Sequence, residues 1–466
     1  MEQSSKLHIV AFPWLAMGHL IPFLRFSKIL AQRGHKIYFV STPRNIDRLH
    51  RSPQKLSSNI SLISFPLPSM PGLPPSAENT SDIPYSKQQL LKKAFDLLEQ
   101  QLTTFLQSTK PDWVIYDYPS HWLPSIAADL GISTAFFSLF TAAALTFVGP
   151  PSMLMHDGDS RSAAEDFTVV PKWVPFESNV MYRIHEVTKY VEKTKEDETG
   201  PNDTVRFGFA VGKADLVIIR SSPELEPEWF DLLGQLCEKP IIPLGFLPPL
   251  EEEEEDNSGR EWAYIKEWLD KKEAESVVYV ALGTEGALSQ EEVSELAFGL
   301  EKSRSPFFWA LKSSPGSTQN VLEMLPDGFE ERVKHQGIIY KEWAPQVKIL
   351  GHKSVGVFLT HCGWNSVVEG LSFGRVLIMF PMLNDQGLNA RLLQGKNLGL
   401  EIPRNQLDGA FTSDSVAELL RKDKIDGSPN TKKIRGLLGD RNRNNQLAAA
   451  VVHYLEEGRT SRLQAC

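Results

Sequence analysis

The stretch at 343–386, WAPQVKILGHKSVGVFLTHCGWNSVVEGLSFGRVLIMFPMLNDQ, constrains the fold more than any other part of the chain. Its pattern predicts a compact loop, a buried strand over 355–360, and a turn through His361, Cys362 and Gly363. A helix over about 364–373, a second apolar strand over 376–381 and a polar tail follow. Two strands so close together, joined through a helix, run parallel, and parallel strands need cover on both faces. The rest of the chain therefore has to supply an α/β architecture.

The chemistry of this unit lies in its turn. A strand that delivers the chain to a helix N-terminus presents unpaired N–H groups and the positive end of the helix dipole, which suits a phosphate. Gly363 lets a ligand approach the backbone, and His361, Asn365 and Ser366 add side-chain donors at the same place. Glu369 follows Ser366 by about one turn and can accept hydrogen bonds from sugar hydroxyls in the same crevice. Trp343 offers a flat face to a nucleobase, and Asp385 and Gln386 offer further polar groups. The same residues also permit a plain buried βαβ unit in which Trp and His only pack.

With W-x-P-Q at its start, H-C-G-W-N-S in its middle and D-Q at its end, the stretch resembles the signature box of plant secondary product glycosyltransferases over its whole length. The resemblance implies a UDP-sugar-dependent glycosyltransferase of the GT-B fold, with two Rossmann-like, doubly wound parallel-sheet domains facing across a cleft. It also implies roles. Trp343 would stack on uracil, with Ala344 and Gln346 fixing base and ribose. Glu369 would hold the ribose and His361 the α-phosphate. Asn365, Ser366 and Thr284 would hold the β-phosphate, Thr284 from the loop Gly283-Thr284-Glu285. Asp385 and Gln386 would hold the sugar, and Gln386 together with Trp364 resembles members that use glucose. One departure stands out: Gly374-Arg375-Val376 lacks the proline usual two residues after this glycine, which leaves the start of the next strand and the donor preference open.

A length of 466 residues suits two domains. The alternation of strands and helices begins with strands over 7–13, 36–41, 60–66, 112–116 and 214–220, and with helices over 18–32 and 87–106. It resumes after the acidic run 251–256, which reads as a solvated linker. There it predicts helices near 262–271 and 291–302 and strands over 277–282, 307–312 and 338–341. The expected division is therefore an acceptor-binding domain over 1–250 and a UDP-sugar-binding domain over 251–440. A last helix, about 441–466, would return to the first domain. The weakly periodic segment 140–212 reads equally as a ligand wall or a surface insertion.

Ligands bind outside the carboxyl ends of strands in open parallel sheets. His19, after the first strand, and Asp117, after the strand over 112–116, leave the same edge, and a histidine paired with a carboxylate can take a proton from a hydroxyl. Taken alone, His19 reads as a capping or packing residue. The resemblance makes P-W-L-A-M-G-H-L-I-P the site of the general base and V-I-Y-D that of its acidic partner. Trp14, His121 and Phe140 are expected on the acceptor wall, with a purely structural role open for His121.

The net charge of −9 argues against a nucleic-acid partner. Three scattered cysteines form neither a disulfide framework nor a thiolate metal site, and no carboxylate cluster has metal-ligand spacing, so neither metal nor cofactor is expected. The N-terminus lacks a leader pattern and the apolar passage 135–155 is a poor membrane span, so a cytoplasmic monomer is expected. Its partners would be UDP-glucose and a small-molecule acceptor. The leading expectation is an inverting glucosyltransferase, with a UDP-rhamnose-dependent rhamnosyltransferase as the near alternative. A nicotinamide-dependent oxidoreductase is the distant one, because the first strand runs into F-P-W-L-A-M-G-H without G-x-G-x-x-G.

Overall fold

The computed structural model describes residues 6–51, 56–156, 158–194, 200–249, 259–283, 288–312, 321–421 and 436–465. Among these residues thirteen strands form two sheets. The first holds β1 (His8–Phe12), β2 (Lys36–Ser41), β3 (Ile60–Ser64), β4 (Trp113–Tyr116), β5 (Ser133–Ser138), β6 (Leu216–Ile219) and β7 (Ile241–Pro243), in the order β3-β2-β1-β4-β5-β6-β7. The second holds β8 (Val277–Ala281), β9 (Phe307–Ala310), β10 (Gly337–Tyr340), β11 (Val355–Thr360), β12 (Val376–Met379) and β13 (Gly399–Glu401), in the order β10-β9-β8-β11-β12-β13. Every pairing is parallel.

Both orders reverse once, between β1 and β4 in the first sheet and between β8 and β11 in the second. The crevice at such a reversal is where open α/β sheets bind ligands. The central strands β4, β5, β8 and β11 are buried throughout, so their sequences read as unbroken apolar runs rather than as alternation. Each sheet carries one apolar core on each face. The last helix, Arg441–Ala465, packs Ala448, Val451, Val452 and Leu455 into the first sheet's core, and the Trp113 indole donates to the Leu455 carbonyl at 3.0 Å.

Several elements depart from the sequence pattern. The helix expected over 87–106 is two, Gln88–Asp96 and Glu99–Thr109. Leu91, Phe95, Leu98, Leu102 and Leu106 keep helical spacing across the junction and share one core, so periodicity does not reveal the break. Strand β5 overlaps the start of the apolar passage 135–155. The segment 140–212 contains the helices Ala142–Val148, Pro151–Met155, Ile184–Thr194 and Asp203–Gly212, joined by irregular stretches. Strand β12 starts at Val376 in register with Val357 although the proline is missing, and the Arg375 guanidinium there donates to the carbonyls of Leu350 and Val355. The acidic run 251–256 lies outside the described residues. Among the described residues no helix is long and apolar enough to cross a membrane.

Candidate active site

The first crevice is built by the loops after β1 and β4. His19 lies in the first turn of the helix Met17–Gln32, and its Nδ1 meets Asp117 Oδ2 at 2.6 Å. Asp117 is fully buried and also accepts from the backbone N–H groups of Trp14 (3.1 Å) and Tyr118 (2.8 Å). Three donors on one carboxylate fix its orientation. With Nδ1–H committed to that carboxylate, the basic lone pair of the imidazole is on Nε2, and the carboxylate stabilises the imidazolium that forms when Nε2 takes a proton.

Tyr118 and Phe140 stand beside His19, each with its ring centroid 6.1 Å away, and Phe207 stacks on Tyr118 at 4.7 Å. These rings line the crevice. Phe140 is thus beside His19, while Trp14, only 2 % exposed, packs against Phe95 and Tyr118. His121 is engaged elsewhere. Its Nδ1 lies 3.1 Å from the Pro119 carbonyl and 3.2 Å from the Arg206 guanidinium, which is itself paired with Asp96. Burial lowers its pKa, and this environment matches the structural alternative.

The second crevice is built by the loops after β8 and β11. His361 leaves β11, and a Cβ at Gly363 or Gly283 would lie 2.5 Å or 2.9 Å from its Nε2. The two glycines are therefore the slot that holds the ring. Burial lowers the His361 pKa to about 4, against a hydrogen bond to the Ala281 backbone that raises it, so the ring is neutral at physiological pH. Its Nδ1 is buried and has no hydrogen-bond partner among the described residues. Cys362 follows at φ +66°, a left-handed conformation that non-glycine residues hold only under constraint, and its buried thiol is pushed well above the usual range. Thr284 lies outside the described residues.

Gly363 caps the helix Trp364–Ser372, so the first N–H groups of that helix open on the same crevice. Beside them Gln346 Nε2 donates to Glu369 (2.8 Å) and Ser366 (3.3 Å), a ready-made polar floor. Ala344 is buried beneath it. Trp343 is 65 % exposed, a large apolar face left at the surface, with the Lys312 ammonium 3.9 Å from its ring centroid. Asp385 and Gln386 are no polar tail, since they open the helix Gln386–Gly395. Gln386 Oε1 accepts from the N–H groups of Met382 (3.0 Å) and Leu383 (2.9 Å), which fixes its orientation and leaves the amide N–H₂ as its outward group.

Two residues of the box face the other half. Trp364, 5 % exposed, donates its indole N–H to the Arg220 carbonyl at 2.7 Å. Asn365 donates to the Gly18 carbonyl at 2.7 Å and accepts from the Arg220 guanidinium. Sequence spacing gives both a place at the helix N-terminus but does not show that they span the cleft. Arg220 and Arg25, the latter 3.5 Å from Glu369, belong to no motif of the sequence. A charged residue closing an apolar parallel strand, as Arg220 closes β6, was the available signal. Among the described residues no group of three or more His, Cys, Asp or Glu could hold a metal ion.

A family model for UDP-glucoronosyl and UDP-glucosyl transferases matches residues 212–425, which include the whole second crevice. UDP-glycosyltransferase 91C1 of Arabidopsis thaliana is 56% identical over 459 residues, covering 97% of both chains. The chain belongs to the plant UDP-glycosyltransferase family. Another relative of this UDP-glycosyltransferase, the soyasaponin III rhamnosyltransferase of Glycine max, is 42% identical over 90% of the chain and 88% of its own length. In three dimensions it is similar to Arabidopsis thaliana UGT89C1 solved with UDP-L-rhamnose, with a TM-score of 0.74, 25% identity, and coverage of 97% of this chain and 99% of that one. The GT-B fold of such enzymes is the one described above.

Proposed function

We propose that this UDP-glycosyltransferase is an inverting enzyme that moves glucose from UDP-glucose to a hydroxyl of a small plant metabolite, its glycoside or a xenobiotic. The observation that carries the reading is the His19–Asp117 pair at one strand-order reversal, facing a helix N-terminus with a neutral buried histidine at the other. The base, ribose and diphosphate of the donor fit Trp343, the Gln346–Glu369 floor and the His361–Ser366 turn in sequence along the second crevice. Acceptors fit the aromatic wall of Tyr118, Phe140 and Phe207.

In this reading His19 Nε2 takes the acceptor's hydroxyl proton as its oxygen attacks the anomeric carbon from the face opposite UDP. The bond from that carbon to the diphosphate oxygen breaks, UDP leaves with the electron pair, and the imidazolium returns its proton to solvent. Helix N–H groups, His361 and Ser366 stabilise the charge on the leaving diphosphate, with no metal in the account. Asp385 accepts from adjacent sugar hydroxyls and Gln386 donates to one, an arrangement that supports glucose. Rhamnose is the second reading, favoured by the name of the soybean relative.

The test is a panel of UDP-glucose, UDP-rhamnose and UDP-galactose against aglycone and glycoside acceptors. Product mass and anomeric configuration would be read with and without chelator. A hexosylated product of inverted configuration, formed fastest from UDP-glucose and equally well with chelator, is expected. Faster transfer from UDP-rhamnose selects the second reading, and loss of turnover on chelation contradicts the metal-free account.

A further inference from the structure

We infer that Arg220 is a positioning residue that sets the distance between the base on one half and the donor site on the other. The inference rests on the reading of His19 as the base. Its starting point is a defect in the helix Met17–Gln32. In a regular helix the Gly18 carbonyl would accept from the N–H of residue 22, but residue 22 is a proline and has none. The carbonyl adjoining His19 therefore needs a donor from outside the helix. Asn365 supplies it from the other half at 2.7 Å, and a Cβ on residue 18 would already lie 3.4 Å from that amide nitrogen.

An amide side chain can present nitrogen or oxygen, and here Arg220 decides. Its guanidinium donates to Asn365 Oδ1, which turns Nδ2 toward Gly18. Arg220 is fully buried, and the same planar group donates to the carbonyls of Phe246 (2.8 Å) and Leu247 (3.4 Å), while its own carbonyl takes the Trp364 indole. One residue at the end of β6 thus grips the crossover between the halves and the first two residues of the donor-site helix. Through Asn365 it reaches the residue next to His19. Catalysis across a cleft depends on this spacing, since a misplacement of about 1 Å costs roughly a hundredfold in rate.

The test is a kinetic cycle of Arg220→Met and His19→Ala, singly and together, with UDP affinity measured by calorimetry. Arg220→Met alone should lower kcat by ~10- to 100-fold with KM for the UDP-sugar and Kd for UDP within about threefold of wild type. In the His19→Ala background, with no base left to position, the same substitution should cost less than about threefold. An equal loss in both backgrounds makes Arg220 a fold-stabilising residue and overturns this inference alone. Near-wild-type turnover by His19→Ala overturns the base assignment and the inference with it. Arg220→Lys keeps the charge but offers one nitrogen where the guanidinium has three. It carries the same cycle, with a smaller expected loss, should the methionine variant not fold.

Discussion

His19 and His361 stand at the carboxyl edges of the two sheets, each where the strand order reverses. Around His19 the chain places a buried carboxylate at 2.6 Å and an aromatic wall, and it leaves the ring partly exposed. Around His361 it places two glycine backbones, an Ala281 backbone hydrogen bond and, among the described residues, no carboxylate partner. The first environment offers a charge partner to an imidazolium, whereas burial in the second opposes one. One residue type at one kind of topological site can therefore serve as a proton acceptor or as a neutral hydrogen-bonding group, and the neighbours choose which.

Asp117→Asn is the most severe way to break this contrast. It keeps the size of the partner but removes the charge that stabilises the imidazolium, and turnover should fall by at least ~10²-fold with UDP affinity nearly unchanged. Steady-state kinetics beside a UDP titration measure both. A loss of less than tenfold would erase the difference drawn between the two histidines.

Trp343→Ala acts on the other crevice. Removing an exposed stacking face should weaken UDP binding by roughly tenfold, the scale of one base on one aromatic ring, without altering the proton-transfer pair. An unchanged dissociation constant would reduce Trp343 to a partner of Lys312.

The smallest expected effect lies in stability against pH. Folded His361 titrates near 4 and a histidine in the unfolded chain near 6.5, so the unfolded state binds more protons between those values. The contribution is complete above about 6.5 and is lost as pH falls towards 4. His185, also lowered to about 4, adds the same sign, whereas Glu226, raised to about 7 by burial, contributes stability below about 4.5 that is lost as pH rises towards 7. His361→Asn should therefore flatten the decline in melting temperature between pH 6.5 and 4. An identical slope would mean that the ring is solvated.

The sequence makes the scaffold legible, because strand–helix alternation is local. Strand–helix alternation reports β2 and β11 to the residue, and the spacing of the box puts His361, Ser366 and Glu369 on one helix start. What escapes it is long-range. The roles of Trp364 and Asn365 depend on Arg220 and Gly18, 144 and 347 residues away respectively. Gln386 has its oxygen committed to backbone N–H groups, a detail set by the turn at 382–386 rather than by residue type. Trp14 is expected on the acceptor wall, and its burial against Phe95 and Tyr118 depends on residues about 80 and 100 positions away.

The division of labour between the halves is tested most directly by titrating UDP calorimetrically into His19→Ala and His361→Ala side by side. His19→Ala should bind UDP within about threefold of wild type, since its role is in proton transfer, and His361→Ala should lose roughly ten- to a hundredfold. Equal losses of UDP affinity in the two variants, or full affinity in His361→Ala, would contradict it.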